Sequence, residues 1–379
     1  MASVFISCGE PSGDLYAAAL VEQLRALDPG VRVAGLGGER LEEAGATLLC
    51  DYHGIAVTGL VEALRVLPRS LEMYRRLVRA AREQRPDVFV AIDFPDFNFR
   101  LAGAMRRLGI PIVYYIPPQL WAWRSGRIRT LKALADRVLV IFPFEPEIYR
   151  AAGTPATFVG HPLVDLAKAG CPRDAFLGGL GLDPRRPTLA LLPGSRPNEV
   201  HEILGPVLAA LPRIGQRVPG VQFVLARAPG LADDLFTPVG ATPLPVIVVE
   251  RRADDVLASA DAVVTASGTA TVQAAIHGCP MVIVYRVAPL TYTLGRRFVH
   301  VDTFGMVNLV AGHRVATELI QGGFTPDAVA EEAIRLLTDA GARERAVAAL
   351  ADVRLKLGGG GASGRAAAVV LDTARAHAR

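Results

Sequence analysis

The sequence predicts an α/β protein built as two parallel-sheet halves, each with helices on both faces of its sheet. Short apolar runs alternate with amphipathic helical stretches along the whole chain, the pattern of parallel strands joined by helical crossovers. The two halves also open alike. Val4 to Asp14 reads as strand, Gly/Ser loop and helix start, and Thr188 to Val200 repeats that reading halfway along. Finally, 379 residues exceed what one core usually holds, so two domains of about 150 to 200 residues are expected.

Composition narrows the function classes. A hydrophobic fraction of 51% is ample for two cores, and a net charge of +4 is too small to argue for nucleic acid. Only Lys132, Lys168 and Lys356 are lysines among 41 basic residues, so arginine use is as much a compositional habit as a functional choice. Cys8, Cys50, Cys171 and Cys279 are scattered without a C-x-x-C pair, which argues against a zinc site or a disulfide framework and for a reducing compartment. The first apolar run is strand-sized and lacks a basic lead-in, so no signal peptide is expected. No run approaches the ~18 to 20 apolar residues of a membrane span, which leaves peripheral contact as the expected membrane mode.

In the first half, residues 1–161, a helix over Asp14 to Leu27 follows the opening strand. Further strands are expected at Val31 to Leu36, Val88 to Ile92, Pro111 to Ile116, Arg137 to Ile141 and Ala156 to Val159. Ligands on such sheets bind beyond the carboxyl ends of the strands. That puts weight on Gly9 to Asp14, Gly35 to Gly38, Asp93 to Asn98 and Pro117 to Arg124. The first loop, Cys8-Gly9-Glu10-Pro11-Ser12-Gly13, lacks G-x-G-x-x-G, and Glu10 would repel a pyrophosphate, so a nicotinamide enzyme is disfavoured. Asp93 and Asp96 flank Phe94 and Pro95 at a strand mouth. A carboxylate in apolar surroundings is a stronger base, suited to taking a hydroxyl proton. Asp96 reads as a helix cap or a solvated group; for Asp93, read from the residues alone, base and solvated carboxylate both stand.

Leu60 to Gln84 is amphipathic and interrupted by Pro68. One stripe holds Leu60, Leu64, Leu67, Leu71, Tyr74 and Val78, with arginines on the other faces. The stretch reads as a helix pair packed on the sheet; the alternative is contact with an anionic membrane surface, where Val66 and Leu67 would enter beside basic residues. Trp121 and Trp123 follow a strand end and either line a sugar or acyl pocket or pack inside, while Arg124, Arg127 and Arg129 could meet a phosphate. His161 could face a ligand or satisfy a neighbouring backbone group.

Pro162 to Pro187, rich in Gly and Pro, reads as the linker to a second half over 188–357. Strands are expected there at Thr188 to Leu192, Val221 to Leu225, Val246 to Val249, Ala262 to Val264 and Pro280 to Val284. Gly194, Ser195 and Arg196 precede a helix starting near Pro197; free N–H groups and a guanidinium there suit phosphate, and an ordinary strand-to-helix turn is the alternative. Ser267, Gly268 and Thr269 form a second such start, and two in one domain suggest a nucleotide diphosphate. Two closing helices over 326–355, a Gly358 to Gly361 hinge and a last helix within 362–379, packing back on the first half, complete the chain.

These motifs resemble the lipid-A-disaccharide synthases along nearly the whole chain. The resemblance is carried by Gly9-Glu10-Pro11-Ser12-Gly13-Asp14, Asp93-Phe94-Pro95-Asp96-Phe97-Asn98, Trp121-Ala122-Trp123-Arg124, Phe142-Pro143-Phe144-Glu145, Val159-Gly160-His161-Pro162, Leu192-Pro193-Gly194-Ser195-Arg196, Ser267-Gly268-Thr269-Ala270 and Asn308-Leu309-Val310-Ala311-Gly312. It implies two Rossmann-like domains facing a cleft, the GT-B architecture, and an inverting transfer without metal or cofactor. UDP-2,3-diacylglucosamine and 2,3-diacylglucosamine 1-phosphate would give a β-1,6-linked disaccharide phosphate and UDP. By the same carry-over Asp93 is the general base and Glu10 lies in the catalytic cleft. Ser195, Arg196, Ser267, Gly268, Thr269, Gln273 and Asn308 hold UDP, and Trp121, Trp123 and Arg124 meet acceptor or acyl chains. Acylated substrates favour Leu60, Leu64, Val66, Leu67 and Leu71 as a peripheral contact with the cytoplasmic side of the inner membrane, and a homodimer is a further implication.

This sequence departs from the family pattern twice. Gln273 stands where the family commonly has Glu, a change that removes a charge suited to the ribose hydroxyls and predicts weaker UDP binding or a shifted contact. The Phe304-Gly305-Met306-Val307 loop also differs, which leaves room for another glycolipid product. The competing classes are a UDP-sugar 2-epimerase, needing one sugar substrate and no membrane segment, and a non-catalytic nucleotide-sugar binder, against which Asp93 argues.

Overall fold

The structure, a computed structural model, describes residues 1–53, 60–119, 128–286 and 305–377, the side chains of 60–65 excepted. The chain divides into two compact units, Met1–Pro162 with Gly358–Arg379, and Leu163–Leu357.

The first unit holds strands β1 (Ser3–Ser7), β2 (Arg32–Gly37), β3 (Thr47–Asp51), β4 (Val88–Ile92), β5 (Ile112–Tyr115), β6 (Arg137–Val140) and β7 (Thr157–Phe158). They form one seven-stranded parallel sheet in the order β3-β2-β1-β4-β5-β6-β7. Its crossovers include α1 (Pro11–Leu27), α2 (Glu39–Glu43), α3 (Leu60–Gln84), α4 (Pro95–Arg107), α5 (Ile128–Leu134) and α6 (Glu145–Ala151). Every residue of β4, Val-Phe-Val-Ala-Ile, is buried. Helices cover both faces of such a sheet, so a central strand shows a continuous apolar run rather than alternation.

The second unit repeats the plan. Strands β8 (Thr188–Leu192), β9 (Gln222–Arg227), β10 (Val246–Glu250), β11 (Ala262–Ala266), β12 (Met281–Tyr285) and β13 (Thr317–Ile320) lie in the order β10-β9-β8-β11-β12-β13, all parallel. Its helices are α7 (Leu163–Leu166), α8 (Arg173–Gly179), α9 (Pro197–Arg217), α10 (Ala253–Ser259), α11 (Thr269–Ile276), α12 (Met306–Ala311), α13 (Pro326–Thr338) and α14 (Ala340–Lys356). The last helix, α15 (Ala362–His377), belongs to the first unit, where it packs on α1 and Arg365 Nε donates to the Val159 carbonyl at 2.9 Å.

The order in which successive strands are added reverses once in each sheet, between β1 and β4 and between β8 and β11. Loops at the carboxyl ends flanking such a switch point are where open parallel sheets bind ligands. In the first unit these are the Glu10 and Asp93 loops, and in the second the Ser195 and Ser267 loops.

The structure differs from the sequence reading in three places. β3 and β13 were not expected: both are sheet edges, half-exposed and carrying Asp or Glu among their apolar residues, so neither shows a buried-strand run. The segment 162–187, read as a linker, carries α7 and α8, and all of it after Pro162 belongs to the second unit. Asp255 draws it in by accepting the Gly170 and Cys171 N–H groups at 2.7 and 3.2 Å, and Arg173 pairs with Asp261 at 2.9 Å. Thirdly, α3 runs unbroken through Pro68 instead of forming a helix pair. Its buried side is Met73, Leu77 and Ala81, with Val66, Tyr74 and Val78 partly buried against the core, whereas Leu67 and Leu71 stand 50% and 45% exposed.

Candidate active site

In the first unit the site grows from the ends of β1 and β4, held side by side by the Ser7–Ala91 register. Glu10 is the N-cap residue of α1 in extended conformation and half-buried, and its carbonyl accepts the Asp14 N–H at 2.9 Å. Asp14 is buried and turned toward the start of α2. It accepts from the N–H groups of Gly38, Arg40 and Leu41 at 2.7, 3.1 and 3.3 Å and so caps α2. Burial raises its pKa, and those three N–H groups oppose the rise. The Gly-Glu-Pro-Ser-Gly-Asp motif therefore separates two carboxylates: Glu10 at the strand mouth and Asp14 fastening the next loop.

Asp93 follows β4 directly and is half-buried. Its φ is 45° and that of Phe94 is 50°, two consecutive left-handed non-glycine residues, and Ile116 after β5 has φ 58°. Such conformations are costly and concentrate at functional sites. The residue is pinned through both of its flanking peptides: the Asp93 N–H donates to the Ile116 carbonyl at 3.2 Å, while the Asp93 carbonyl accepts from Asn98 Nδ2 at 2.8 Å and Tyr114 Oη at 3.1 Å. Phe94 stacks on the buried Phe97 at 5.2 Å between centroids and lies over Gly9, where a Cβ would come within 2.3 Å of its ring. Asp96, in the first turn of α4, is exposed.

Behind this mouth lies an aromatic layer. Burial, with Tyr115 and Asp93 nearby, pushes the Tyr16 phenol well above its ordinary pKa. His161 is 2% exposed, edge-on to Tyr16 at 6.1 Å and tilted against Phe142 at 5.3 Å. Burial lowers its pKa to about 3, so it is a neutral interior group. Glu145, also buried, accepts the Phe142 N–H at 3.0 Å and closes the Phe-Pro-Phe-Glu turn. Trp121, Trp123 and Arg124 lie outside the described residues, as do the side chains of Leu60 and Leu64.

In the second unit the Ser195 and Ser267 loops leave the ends of β8 and β11, adjacent through the Leu192–Thr265 register. Gly194 has φ 128°, and a Cβ there would meet that of Glu199 at 2.5 Å. The N–H groups expected to await phosphate already have a partner: Glu199 Oε2 accepts from Ser195 N at 3.0 Å and Arg196 N at 3.3 Å, and its Oε1 pairs with Arg196 Nη1 at 3.0 Å. Glu199 is thus an internal anion at the start of α9. It went unnoticed in the sequence, although its place three residues after the N-cap is the spacing of a capping box. Tyr285, ending β12, was also missed; burial raises its pKa, with the neighbouring Glu199 adding to the rise and Arg196 opposing it. At the other loop, Gly268 and Thr269 are exposed and Ser267 half-buried, and the N-cap residue of α11 is Gly268, which has no side chain to cap it.

The structure brings neither Gln273 nor Asn308 forward as a simple ligand group. Gln273 Nε2 donates to Asp254 Oδ1 at 3.2 Å, and His277 Nε2 meets the same oxygen at 2.9 Å. Asn308 is 1% exposed and holds its own loop: Oδ1 accepts from Val315 N and Ala316 N, and Nδ2 donates to Ala316 O and Glu318 Oε1. Among the described residues no group of three or more His, Cys, Asp or Glu could hold a metal ion, and no helix is long and apolar enough to cross a membrane.

Residues 4–368 match the family model described as lipid-A-disaccharide synthetase. The chain belongs to this family. It is 43% identical over 373 residues to the lipid-A-disaccharide synthase of Geobacter sulfurreducens, covering 97% of this chain and 96% of that one. The synthase of Koribacter versatilis is 44% identical over 382 residues, with 99% of each chain covered. Solved structures show the same fold at low identity. UDP-GlcNAc 2-epimerase from Neisseria meningitidis, bound to UDP-GlcNAc, superposes with a TM-score of 0.69 at 14% identity over 98% of this chain and 99% of that one. CalG4, the calicheamicin glycosyltransferase, gives 0.60 at 19% over 98% of each. The two Rossmann-like sheets are thus of the GT-B class. Likeness to the epimerase reaches no further than fold, whereas the family membership is that of a glycosyltransferase.

Proposed function

We propose that the chain transfers the diacylglucosamine of UDP-2,3-diacylglucosamine to the 6-hydroxyl of 2,3-diacylglucosamine 1-phosphate, forming a β-1,6 bond with inversion and releasing UDP. Family membership supports the lipid-A-disaccharide synthase activity, and the observation that carries the mechanism is Asp93, pinned at the switch point of the first sheet in a backbone that a non-glycine residue rarely adopts. In this reading the Asp93 carboxylate takes the proton from the acceptor hydroxyl as its oxygen attacks the anomeric carbon opposite UDP. Glu10 borders the acceptor from the neighbouring strand end. Charge on the departing diphosphate is met by the Arg196 guanidinium and by the N–H groups that open α9 and α11, without a metal or cofactor. Glu199 must then yield those N–H groups, because it holds them through the same kind of bond. Gln273 accepts from the ribose, and Asn308 shapes the loop beneath it.

Both substrates carry acyl chains, so the enzyme works at a lipid surface. Leu67 and Leu71, exposed one turn apart on α3 with exposed Arg75 one turn further along the same face, suit peripheral contact with the cytoplasmic face of the inner membrane. A homodimer completes the reading.

The test is UDP release from the donor with and without the acceptor, for the wild type and Asp93→Asn. Acceptor-dependent release that collapses in the variant is expected. Donor binding without acceptor-dependent release would assign another acceptor, and full turnover by Asp93→Asn would remove the base.

A further inference from the structure

We infer that Tyr114 and Asn98 are positioning residues that hold Asp93 in its left-handed backbone and thereby aim its carboxylate; the inference rests on the reading of Asp93 as the base. A glycine would take φ 45° without strain. An aspartate there keeps the strain together with its carboxylate, and strain of this kind persists only where the surroundings over-determine it.

Those surroundings converge on the backbone at Asp93 from β1, β5 and α4. Tyr114, fully buried in β5, reaches across to donate its hydroxyl to the Asp93 carbonyl at 3.1 Å. Asn98, fully buried in the first turns of α4, donates Nδ2 to the same carbonyl at 2.8 Å and also to the carbonyls of Ser7 and Ile92 at 3.1 and 3.2 Å. The three carbonyls, which can only accept, settle which way the amide points, and Ser7, the last residue of β1, holds its other side by donating Oγ to Asn98 Oδ1 at 2.6 Å. The amide therefore turns its N–H side to Asp93 and its oxygen to the hydroxyl. Two donors on the Asp93 carbonyl and an acceptor for its N–H fix the two peptide planes on either side of the Asp93 Cα, and with them its φ and ψ, so the side chain leaves β4 in one direction. Nothing in ordinary sheet packing calls for a buried amide and a buried phenol to meet on the carbonyl of a residue just past a strand end.

The experiment is steady-state kinetics of Tyr114→Phe and Ser7→Ala, each made in the wild type and in Asp93→Asn, with acceptor-dependent UDP release as readout and a thermal melt beside it. Both replacements keep the shape of the core. In the wild-type background kcat should fall about 3- to 10-fold, the worth of one such hydrogen bond, with KM for both substrates unchanged. In the Asp93→Asn background the same replacements should change the residual rate less than about 2-fold, because the group they aim is gone. An equal fall in both backgrounds, or a raised KM at constant kcat, would mark Tyr114 and Ser7 as general supports and overturn the inference. If Asp93→Asn collapses while Tyr114→Phe keeps full kcat, the positioning role fails and the base stands. Full turnover by Asp93→Asn removes the base, and the positioning role with it.

Discussion

Replacing Gly9 with alanine would place a methyl carbon 2.3 to 2.5 Å from Cγ, Cδ1 and Cδ2 of the Phe94 ring. Carbon atoms settle about 3.5 to 4.0 Å apart, so the ring or the loop must retreat by about 1 Å. The ring has little room to do so alone, since it stacks on the buried Phe97 and its backbone is already left-handed. The displacement therefore passes to Asp93, one residue away. A reacting group misplaced by about 1 Å loses on the order of 10²-fold in rate. Overpacking of this kind also costs about 1 to 3 kcal/mol, and each kcal/mol lowers the melting temperature of a unit this size by about 2 to 4 °C. Gly13→Ala is the control within the same motif. Its Cβ would meet Cys8 Cβ at 3.2 Å and otherwise only Ile92 at 3.9 Å, an overlap of a few tenths of an ångström away from Phe94, so any loss of rate and melting temperature should be much smaller than for Gly9→Ala. Acceptor-dependent UDP release and thermal melts of the two variants decide the matter. A Gly9→Ala enzyme with wild-type rate and melting temperature would refute the argument that the Gly9 gap positions Phe94 and Asp93.

Four more outcomes are expected. Glu199→Gln removes the charged internal competitor for the Ser195 and Arg196 N–H groups, so calorimetry should find UDP bound about 2- to 10-fold more tightly; weaker binding would show that Glu199 serves to align Arg196. Gln273→Glu puts a second carboxylate about 3.2 Å from Asp254, so UDP affinity should not improve unless Asp254→Asn is added. His161 is held neutral with a pKa lowered to about 3, so only the unfolded chain takes up its proton as pH falls below about 6.5. Stability should therefore drop by up to about 1.4 kcal/mol per pH unit between about pH 6 and pH 4, and melts of His161→Gln should lack that component. Leu67→Glu with Leu71→Glu, at exposed positions, should leave the melting temperature unchanged and abolish co-sedimentation with anionic vesicles; retained binding would send the membrane contact elsewhere.

Fold class was legible because the strands of a covered parallel sheet advertise themselves. Val88 to Ile92 and Thr188 to Leu192 are buried on both faces and read as unbroken apolar runs with the boundaries they have in the structure. β3 and β13 lie at edges, where half-exposed residues tolerate Asp and Glu, and they were silent. On α3 the apolar residues Leu67 and Leu71 looked like core, because periodicity marks a face without saying what lies against it; packing turned Met73, Leu77 and Ala81 inward instead.

Candidate chemistry divides in the same way. The sequence by itself placed Glu10, Asp93, Arg196 and Ser267 just past strand ends, since strand, turn and helix signals are local and their order gives the carboxyl edge. Tertiary structure alone decided what each such group meets. It put Tyr114 and Asn98, 21 and 5 residues from Asp93, on one carbonyl. It buried His161 between Tyr16 and Phe142, and it joined Gln273 to Asp254 across 19 residues of chain. Hydrogen bonds and pKa values depend on distances of a few ångströms between segments remote in sequence, and those distances exist only once the sheets have assembled.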